Sequence, residues 1–124
     1  MRILKSLIMV TLVIVATSST FAQKKADPVG TWSFYADEAP YEYNSGDIVV
    51  GKDGKEYTAK IVFGEYYELK AHSVKFEDDI LSFKVYIEDE AIYIKGTVKG
   101  DNLDGKASYS EGTITVKAER KKEK

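Results

Sequence analysis

From Val29 onward, apolar and polar residues alternate along the chain with a period of two, and turn residues interrupt the alternation at short intervals. This period is typical of β-strands, whose successive side chains point to opposite faces of a sheet. The pattern contains no helical stretch of convincing length. It predicts eight strands, at residues 30–37, 47–52, 56–63, 67–76, 80–88, 91–99, 103–110 and 112–120.

Most connections between the predicted strands are short and rich in turn-forming residues. They read KDGK at 52–55, EDD at 77–79, EDE at 88–90, GDN at 100–102 and SEG at 110–112. Asp-Gly and Glu-Gly pairs tolerate the positive φ of tight hairpins. Because links this short join only antiparallel neighbours, the chain is predicted to form a meander.

The fourth predicted strand changes phase in its middle. Its apolar positions are odd-numbered up to Ala71 and even-numbered from Val74 onward. A β-bulge near His72 and Ser73 is the simplest way to keep both halves facing the core.

Every predicted strand has one apolar face, and the sequence offers no amphipathic helix to cover it. The sheet must therefore either close on itself or fold over as a sandwich. Closure removes both unpaired edges, and no proline lies inside the predicted strands to protect such an edge. We predict an all-β fold, a closed eight-stranded antiparallel up-and-down barrel.

Residues 1–22 have the pattern of a cleaved export signal: a basic start, the apolar run SLIMVTLVIVA, and small residues Thr20 and Ala22 before the cut. The apolar run is shorter than the roughly 20 residues that span a bilayer. We therefore predict a barrel domain at 27–120, a charged tail at 121–124, and a periplasmic or extracellular location without membrane insertion after cleavage.

The composition limits the partners. The chain has 18 basic and 20 acidic side chains, and loss of Arg2 and Lys5 with the signal makes it more acidic. Nucleic acid and anionic membranes are therefore poor partners. The chain has no cysteine, so the fold must be stabilised by packing and hydrogen bonding rather than by disulfides.

Trp32 is the only tryptophan of the chain, and Arg120 is the only arginine that remains once the signal is removed. In a closed meander the first and last strands are neighbours, which places both residues at the same end of the barrel, in the inward phase. A guanidinium can lie flat on an indole and donate to nearby carbonyls, which a lysine ammonium cannot imitate. The pair is predicted to plug this end.

The run Gly30-Thr31-Trp32 and the terminal Arg120 resemble the structural signature of the calycin superfamily, which includes lipocalins, fatty-acid-binding proteins and avidins. The stretch from Lys84 to Arg120 and the signal ending in Phe-Ala-Gln resemble small exported lipocalin-like modules common in Bacteroidetes. The resemblance covers the whole mature chain. It implies a lipocalin-like barrel, adds Gly30 to the structural plug, and favours a ligand in the lumen.

The meander sorts the connections into two ends. The longest loop, 38–46, shares one end with 64–66, 88–90 and 110–112, opposite the Trp32 plug, so this end is the predicted mouth. Its rim is rich in tyrosine and acidic side chains, and tyrosines suit binding surfaces. The candidate ligand-binding residues of lumen and mouth are Phe34, Tyr41, Tyr43, Tyr57, Phe63, Tyr66, Phe83 and Tyr109.

Two functions remain open, because an eight-stranded barrel can be filled by its own side chains or can hold one small ligand. The first is an exported binding protein with a small apolar ligand in the lumen. The second is a filled barrel that binds a protein, or acts as an inhibitor module, through its tyrosine- and glutamate-rich end. Outward-facing Tyr35, Tyr86 and Tyr93 would support the second.

Catalysis and cofactors have little support. His72 is the only histidine and cysteine is absent, which removes the usual zinc sites and Cys-His chemistry. The acidic turns lack the ligand spacing of a calcium loop. We expect no enzyme activity, no catalytic residues, no metal and no cofactor.

Overall fold

The computed structural model describes residues 26–65 and 67–122. Within these ranges no helix is long and apolar enough to cross a membrane. The predicted signal at 1–22 lies outside the described residues. A short 3₁₀ helix, Tyr41–Tyr43, accompanies nine strands: β1 (Gly30–Tyr35), β2 (Ser45–Asp53), β3 (Glu56–Phe63), β4 (Tyr67–Lys70), β5 (His72–Glu77), β6 (Ile80–Ile87), β7 (Glu90–Lys99), β8 (Asn102–Tyr109) and β9 (Gly112–Arg120).

The nine strands form one antiparallel sheet in the order β4-β3-β2-β1-β9-β8-β7-β6-β5. The first and last strands are neighbours in its centre, where Trp32 is the register partner of Arg120. The two outermost strands, β4 and β5, follow each other in the chain and are joined at Ala71. The sheet is therefore a nearly closed up-and-down barrel.

The predicted count of eight strands is wrong, because the predicted strand 67–76 is divided into two. β4 pairs with β3, whereas β5 pairs with β6 on the other side. Ala71 donates its N–H to the carbonyl oxygen of Ala59 at 2.9 Å, and Ser73 then adopts a φ of 54°. The register of β5 shifts between His72 and Lys75, where the sequence predicts a bulge. One continuous strand cannot serve both neighbours, so the chain turns at this point.

This division leaves a seam in the barrel wall. Among the described residues, the pairing of β3 with β4 runs from Lys60 to Phe63, so the first half of β3 lies beside β5 without a ladder. Tyr57 and Phe76 face each other across the seam, with ring centres 5.7 Å apart in an edge-to-face arrangement. Aromatic packing thus replaces backbone hydrogen bonds where the barrel fails to close.

The inward faces build one apolar core. Large side chains that are almost fully buried include Trp32, Ile48, Leu81, Val85, Val98 and Leu103. Gly96 and Gly105 are register partners on β7 and β8. A Cβ at Gly96 would lie 2.7 Å from Leu103 Cδ2, and one at Gly105 would lie 2.5 Å from the Lys95 carbonyl oxygen. These two glycines therefore serve close packing and leave no room for a ligand.

Two hairpin turns have positive φ at both central residues, although neither contains glycine. The values are 53° and 65° at Asp78 and Asp79, and 49° and 69° at Glu88 and Asp89. Two positive values are typical of the type I′ turn, whose twist matches that of the flanking strands. The β5–β6 and β6–β7 connections therefore adopt the tight geometry at a conformational cost.

Candidate functional site: an apolar cavity behind an acidic mouth

At one end of the barrel, Arg120 covers Trp32. The guanidinium carbon lies 4.4 Å from the centre of the indole ring, and Trp32 itself is completely buried. The indole Nε1 donates to the Pro28 carbonyl oxygen at 2.9 Å. A Cβ at Gly30, whose φ is 141°, would lie 3.0 Å from an Arg120 amino nitrogen. Glycine at position 30 therefore lets the guanidinium lie close to the backbone.

The donor groups of the Arg120 guanidinium form hydrogen bonds within the protein. The guanidinium donates to the carbonyl oxygens of Val29 at 2.7 Å, Asp27 at 2.8 Å and Gly100 at 3.2 Å, and its Nε donates to Asp101 at 3.0 Å. These bonds link the chain before β1, the β7–β8 turn and the end of β9. With its donors occupied in this way, Arg120 is suited to a structural role and poorly suited to bind a ligand.

The opposite half of the lumen is not filled by side chains. A cavity of about 350 Å³ lies there, and most of its wall is apolar. This size lies at the lower end of the roughly 300–1,000 Å³ range of small-molecule sites. Its lining consists of Phe34, Ala36, Ala39, Pro40, Tyr43, Ile48, Ile61, Phe63, Val85, Ile87, Glu88, Glu90, Ile92, Ile94, Ala107, Tyr109, Glu111, Ile114 and Val116.

Four of the eight candidate ligand-binding residues line this cavity, namely Phe34, Tyr43, Phe63 and Tyr109. Phe83 is buried in the core outside the cavity lining. Tyr57 lies at the seam, away from the cavity. Tyr41 is 89% exposed and does not reach the cavity, and Tyr66 lies outside the described residues. The plug end of the lumen is thus filled by core side chains, whereas the mouth end contains the apolar cavity.

Aromatic rings form one side of the cavity. The ring centre of Phe63 lies 5.8 Å from that of Phe34 and 5.2 Å from that of Tyr43, both in edge-to-face arrangements. Tyr67 stacks on Phe63 at 5.9 Å. Edge-to-face and offset pairs of this kind favour a defined ring orientation. The aromatic wall is therefore preorganised by its own contacts.

The segment 36–44 crosses the mouth as a lid. Its ends are joined by the N–H of Ala36, which donates to the Asn44 carbonyl oxygen at 2.8 Å, and the N–H of Tyr43 donates to the Pro40 carbonyl oxygen at 2.8 Å. The Tyr43 hydroxyl donates to Glu88 Oε2 at 3.3 Å. Because Glu88 lies in the β6–β7 turn, this hydrogen bond ties the lid to the opposite rim. Burial first, and the nearby Glu88 carboxylate second, raise the pKa of Tyr43 above its ordinary value.

Three carboxylates, Glu88, Glu90 and Glu111, line the cavity at its mouth. Ser110 holds Glu90 in place, since its backbone N–H donates to Glu90 Oε2 at 2.8 Å and its hydroxyl donates to the same oxygen. These two donors lower the pKa of Glu90 below its ordinary value. Glu90 is therefore fixed as an anion at neutral pH.

Sequence reasoning placed Glu88 and Glu90 at the mouth but missed Glu111 as a cavity residue, although it lies in the SEG connection at the same end. It also missed Ser110 as the partner of Glu90, because placing two connections at the same end of the barrel does not determine which of their side chains meet. His72 lies on the outside of the barrel, exposed, with its ring centre 5.6 Å from that of Tyr86. In the part of the chain that the structure describes, no three His, Cys, Asp or Glu side chains gather as a metal site would require.

The comparisons with known proteins bear on the fold alone. No family model and no curated protein matches the chain. A solved structure that resembles it is the secretory abundant heat soluble protein 4 from Ramazzottius varieornatus, with a TM-score of 0.56 and 15% sequence identity. The match covers 82% of this chain and 100% of that one. The neighbour supports a nearly closed β-barrel module.

Proposed function

We propose that this protein is an exported, non-enzymatic binding protein of lipocalin-like architecture, which holds one small apolar ligand in the mouth half of its barrel. The observation that carries the proposal is the apolar cavity of about 350 Å³ in the mouth half of the lumen, whereas the other half is occupied by buried side chains such as Trp32, Leu81 and Leu103. Protein interiors are normally close-packed, with few voids larger than a water molecule. A cavity of this size at a lidded opening is the usual form of a small-molecule site.

The wall of the cavity suits an apolar ligand. Aliphatic side chains from β2, β3, β6, β7 and β9 and the rings of Phe34 and Phe63 surround the space, while polar groups are confined to the mouth. Burial of apolar surface is the dominant favourable term for such a ligand. At roughly 30 Å³ for a group the size of a water molecule, the cavity accommodates about a dozen non-hydrogen atoms. A short alkyl chain is a ligand of this size.

A test is binding of decanol, an uncharged chain of suitable length, measured by isothermal titration calorimetry. Ile114 points into the cavity, and its neighbour Thr115 is exposed on the outer face of β9. We expect Ile114→Trp to fill the cavity and weaken decanol binding at least tenfold. The matched control, Thr115→Trp, adds the same ring outside the barrel and should leave the affinity unchanged.

The unfolding midpoint of each variant shows whether the barrel remains intact. Ala107→Leu adds less volume to the same cavity and serves the test if Ile114→Trp does not fold. Absence of decanol binding to the parent protein, or equal binding by the parent and both folded cavity variants, would overturn the proposed site. Native mass spectrometry of protein purified from its own host would show whether the protein retains a bound small molecule and would identify that molecule by its mass.

A second candidate function, binding of a protein through the tyrosine- and glutamate-rich end, has its own supporting observation. Tyr41 projects from the lid with 89% of its surface exposed, between Glu38 and Glu42. Exposed tyrosines are enriched at recognition surfaces. A photoreactive residue at position 41 that crosslinks one host protein in defined stoichiometry, when the same residue at position 115 does not, would favour this function.

A further inference from the structure

We infer that the ligand of the cavity is a cationic amphiphile, a short apolar chain or ring that carries one ammonium group at its outer end. The inference rests on the proposed function and specifies its ligand class. The cavity provides the apolar part of the site, and the carboxylates of Glu88, Glu90 and Glu111 select the head group. This division of the lining matches a molecule with one apolar and one charged end.

The mouth end of the barrel has charges of a single sign. The four connections at this end, residues 36–44, 64–66, 88–89 and 110–111, contain no lysine or arginine. Their acidic residues are Asp37, Glu38, Glu42, Glu65, Glu88, Asp89 and Glu111. A mouth lined by one sign of charge attracts ligands of the opposite sign and repels those of the same sign. A fatty acid, whose carboxylate would lie at this rim, is therefore a poor ligand.

The carboxylates of the lining are not neutralised within the described structure. There, ion pairs join Lys60 to Glu68, Lys117 to Asp104, Arg120 to Asp101 and Lys121 to Asp47. None of these four carboxylates lines the cavity. The contacts of the lining carboxylates are instead with neutral donors, Tyr43 to Glu88 and Ser110 to Glu90. Neutral donors orient a carboxylate while leaving its charge available to a cation.

The positions of the carboxylates also fix the orientation of the ligand. Glu88 lies in the β6–β7 turn, Glu90 begins β7, and Glu111 lies in the β8–β9 turn, so all three project from two neighbouring hairpins. The aromatic wall of Phe34 and Phe63 belongs to β1 and β3. An ammonium group would therefore sit at the hairpin rim, with its apolar chain directed into the barrel.

The experiment compares three ligands with the same chain: decylamine, which is protonated at neutral pH, decanol and decanoate. Their affinities are measured by calorimetry at pH 7 and low ionic strength, below the concentration at which each aggregates. We expect decylamine to bind at least tenfold more tightly than decanoate, with decanol between them. Added salt should lower the ratio of decylamine affinity to decanoate affinity, because ions screen the exposed charges of the mouth.

Variants assign the selectivity to the rim. The double change Glu88→Gln and Glu111→Gln keeps the acceptor for Tyr43 and removes two charges, and we expect it to reduce the amine-to-carboxylate ratio at least threefold. The matched control is Glu77→Gln with Glu119→Gln, which removes two charges from exposed positions outside the cavity. It should leave the ratio unchanged. The unfolding midpoint and decanol affinity of both double variants establish that the cavity is intact.

The outcomes separate the two proposals. Binding of decanol together with equal or tighter binding of decanoate overturns the cationic ligand and leaves the proposed function in place. Failure of all three ligands to bind overturns both. A ratio that falls equally in the rim variant and the control also overturns the inference, because selectivity would then come from net charge alone.

Discussion

Arg120 and Trp32 are register partners on the last and first strands, and the guanidinium carbon of one lies 4.4 Å from the ring centre of the other. The stack joins the first and last strands at the centre of the sheet. Arg120 also donates to three carbonyl oxygens from two separate segments. The plug therefore combines the burial of Trp32 with the cation–π contact and the backbone hydrogen bonds of Arg120.

We expect Arg120→Lys to destabilise the protein by about 2 kcal/mol although it keeps the charge, because the ammonium loses the planar stack and part of the donor fork. Chemical denaturation measures the change. Asp101→Asn is the comparison: it removes the ion pair at 3.0 Å but leaves the stack, and Asp101 is largely exposed, so the cost should stay below about 1 kcal/mol. Equal midpoints for Arg120→Lys and the parent would contradict the plug.

Trp32→Ala should cost about 3–5 kcal/mol, as large-to-small changes in a packed core do. The indole is completely buried and donates to the Pro28 carbonyl oxygen, so the change opens a cavity and removes a buried hydrogen bond. The measurement is the free energy of unfolding in urea. Tyr93→Ala on the outer face, where the ring is 56% exposed, should cost far less, and a similar loss at both positions would be inconsistent with the strand phases described above.

Asp79→Gly should stabilise the protein by about 0.5–1 kcal/mol. Asp79 has a φ of 65°, and the φ of its neighbour Asp78 in the same turn is also positive. Glycine adopts this backbone conformation without the steric penalty. Asp79→Ala removes the same charge but keeps the Cβ, so it should be the less stable variant of the two. Thermal unfolding distinguishes them, and an alanine variant as stable as the glycine variant would assign the gain to charge.

Ser110→Ala should raise the pKa of Glu90 towards its ordinary value, because the hydroxyl donor is lost while the backbone N–H remains. The folded pKa of Glu90 is lower than the unfolded one. Its ionised form therefore contributes stability above the unfolded value, near pH 4.5, and this contribution is lost as the pH falls through the folded pKa. The side-chain carboxyl carbon of Glu90, followed by NMR across acid pH, reports the shift. An unchanged titration would show that the hydroxyl contributes nothing.

The alternation of residues predicted most of the fold, because strand side chains alternate faces regardless of which strands are neighbours. The predicted inward residues Trp32, Phe34, Phe63 and Phe83 are all buried. The division at Ala71 could not be predicted in the same way, since it depends on how far one strand can follow two curved neighbours. The phase change at Val74 predicted where the strand becomes irregular, but it did not predict that the strand is divided into two.

The candidate site was less predictable, because a small residue at an inward position is compatible either with close packing or with a cavity. Gly96 and Gly105 let neighbouring backbones and Leu103 approach, whereas Ala36 and Ala107 face the cavity. All four residues lie at inward positions of the alternation, so sequence periodicity does not distinguish close packing from empty space. The distinction requires the register of β7 against β8 and the position of each residue along the barrel axis.

The central position of β9 has a consequence for how the chain folds. β9 contributes the ladders to both β1 and β8, yet it is the last of the nine strands to be synthesised. Until residues 112–120 emerge, the earlier strands would form two separate sheets with unpaired edges, β2–β1 on one side and β7–β8 on the other. Pairing of the most distant parts of the chain is a slow step in folding. We expect the barrel to form only after β9 is available, and a chain that stops before β9 to remain prone to edge-to-edge association.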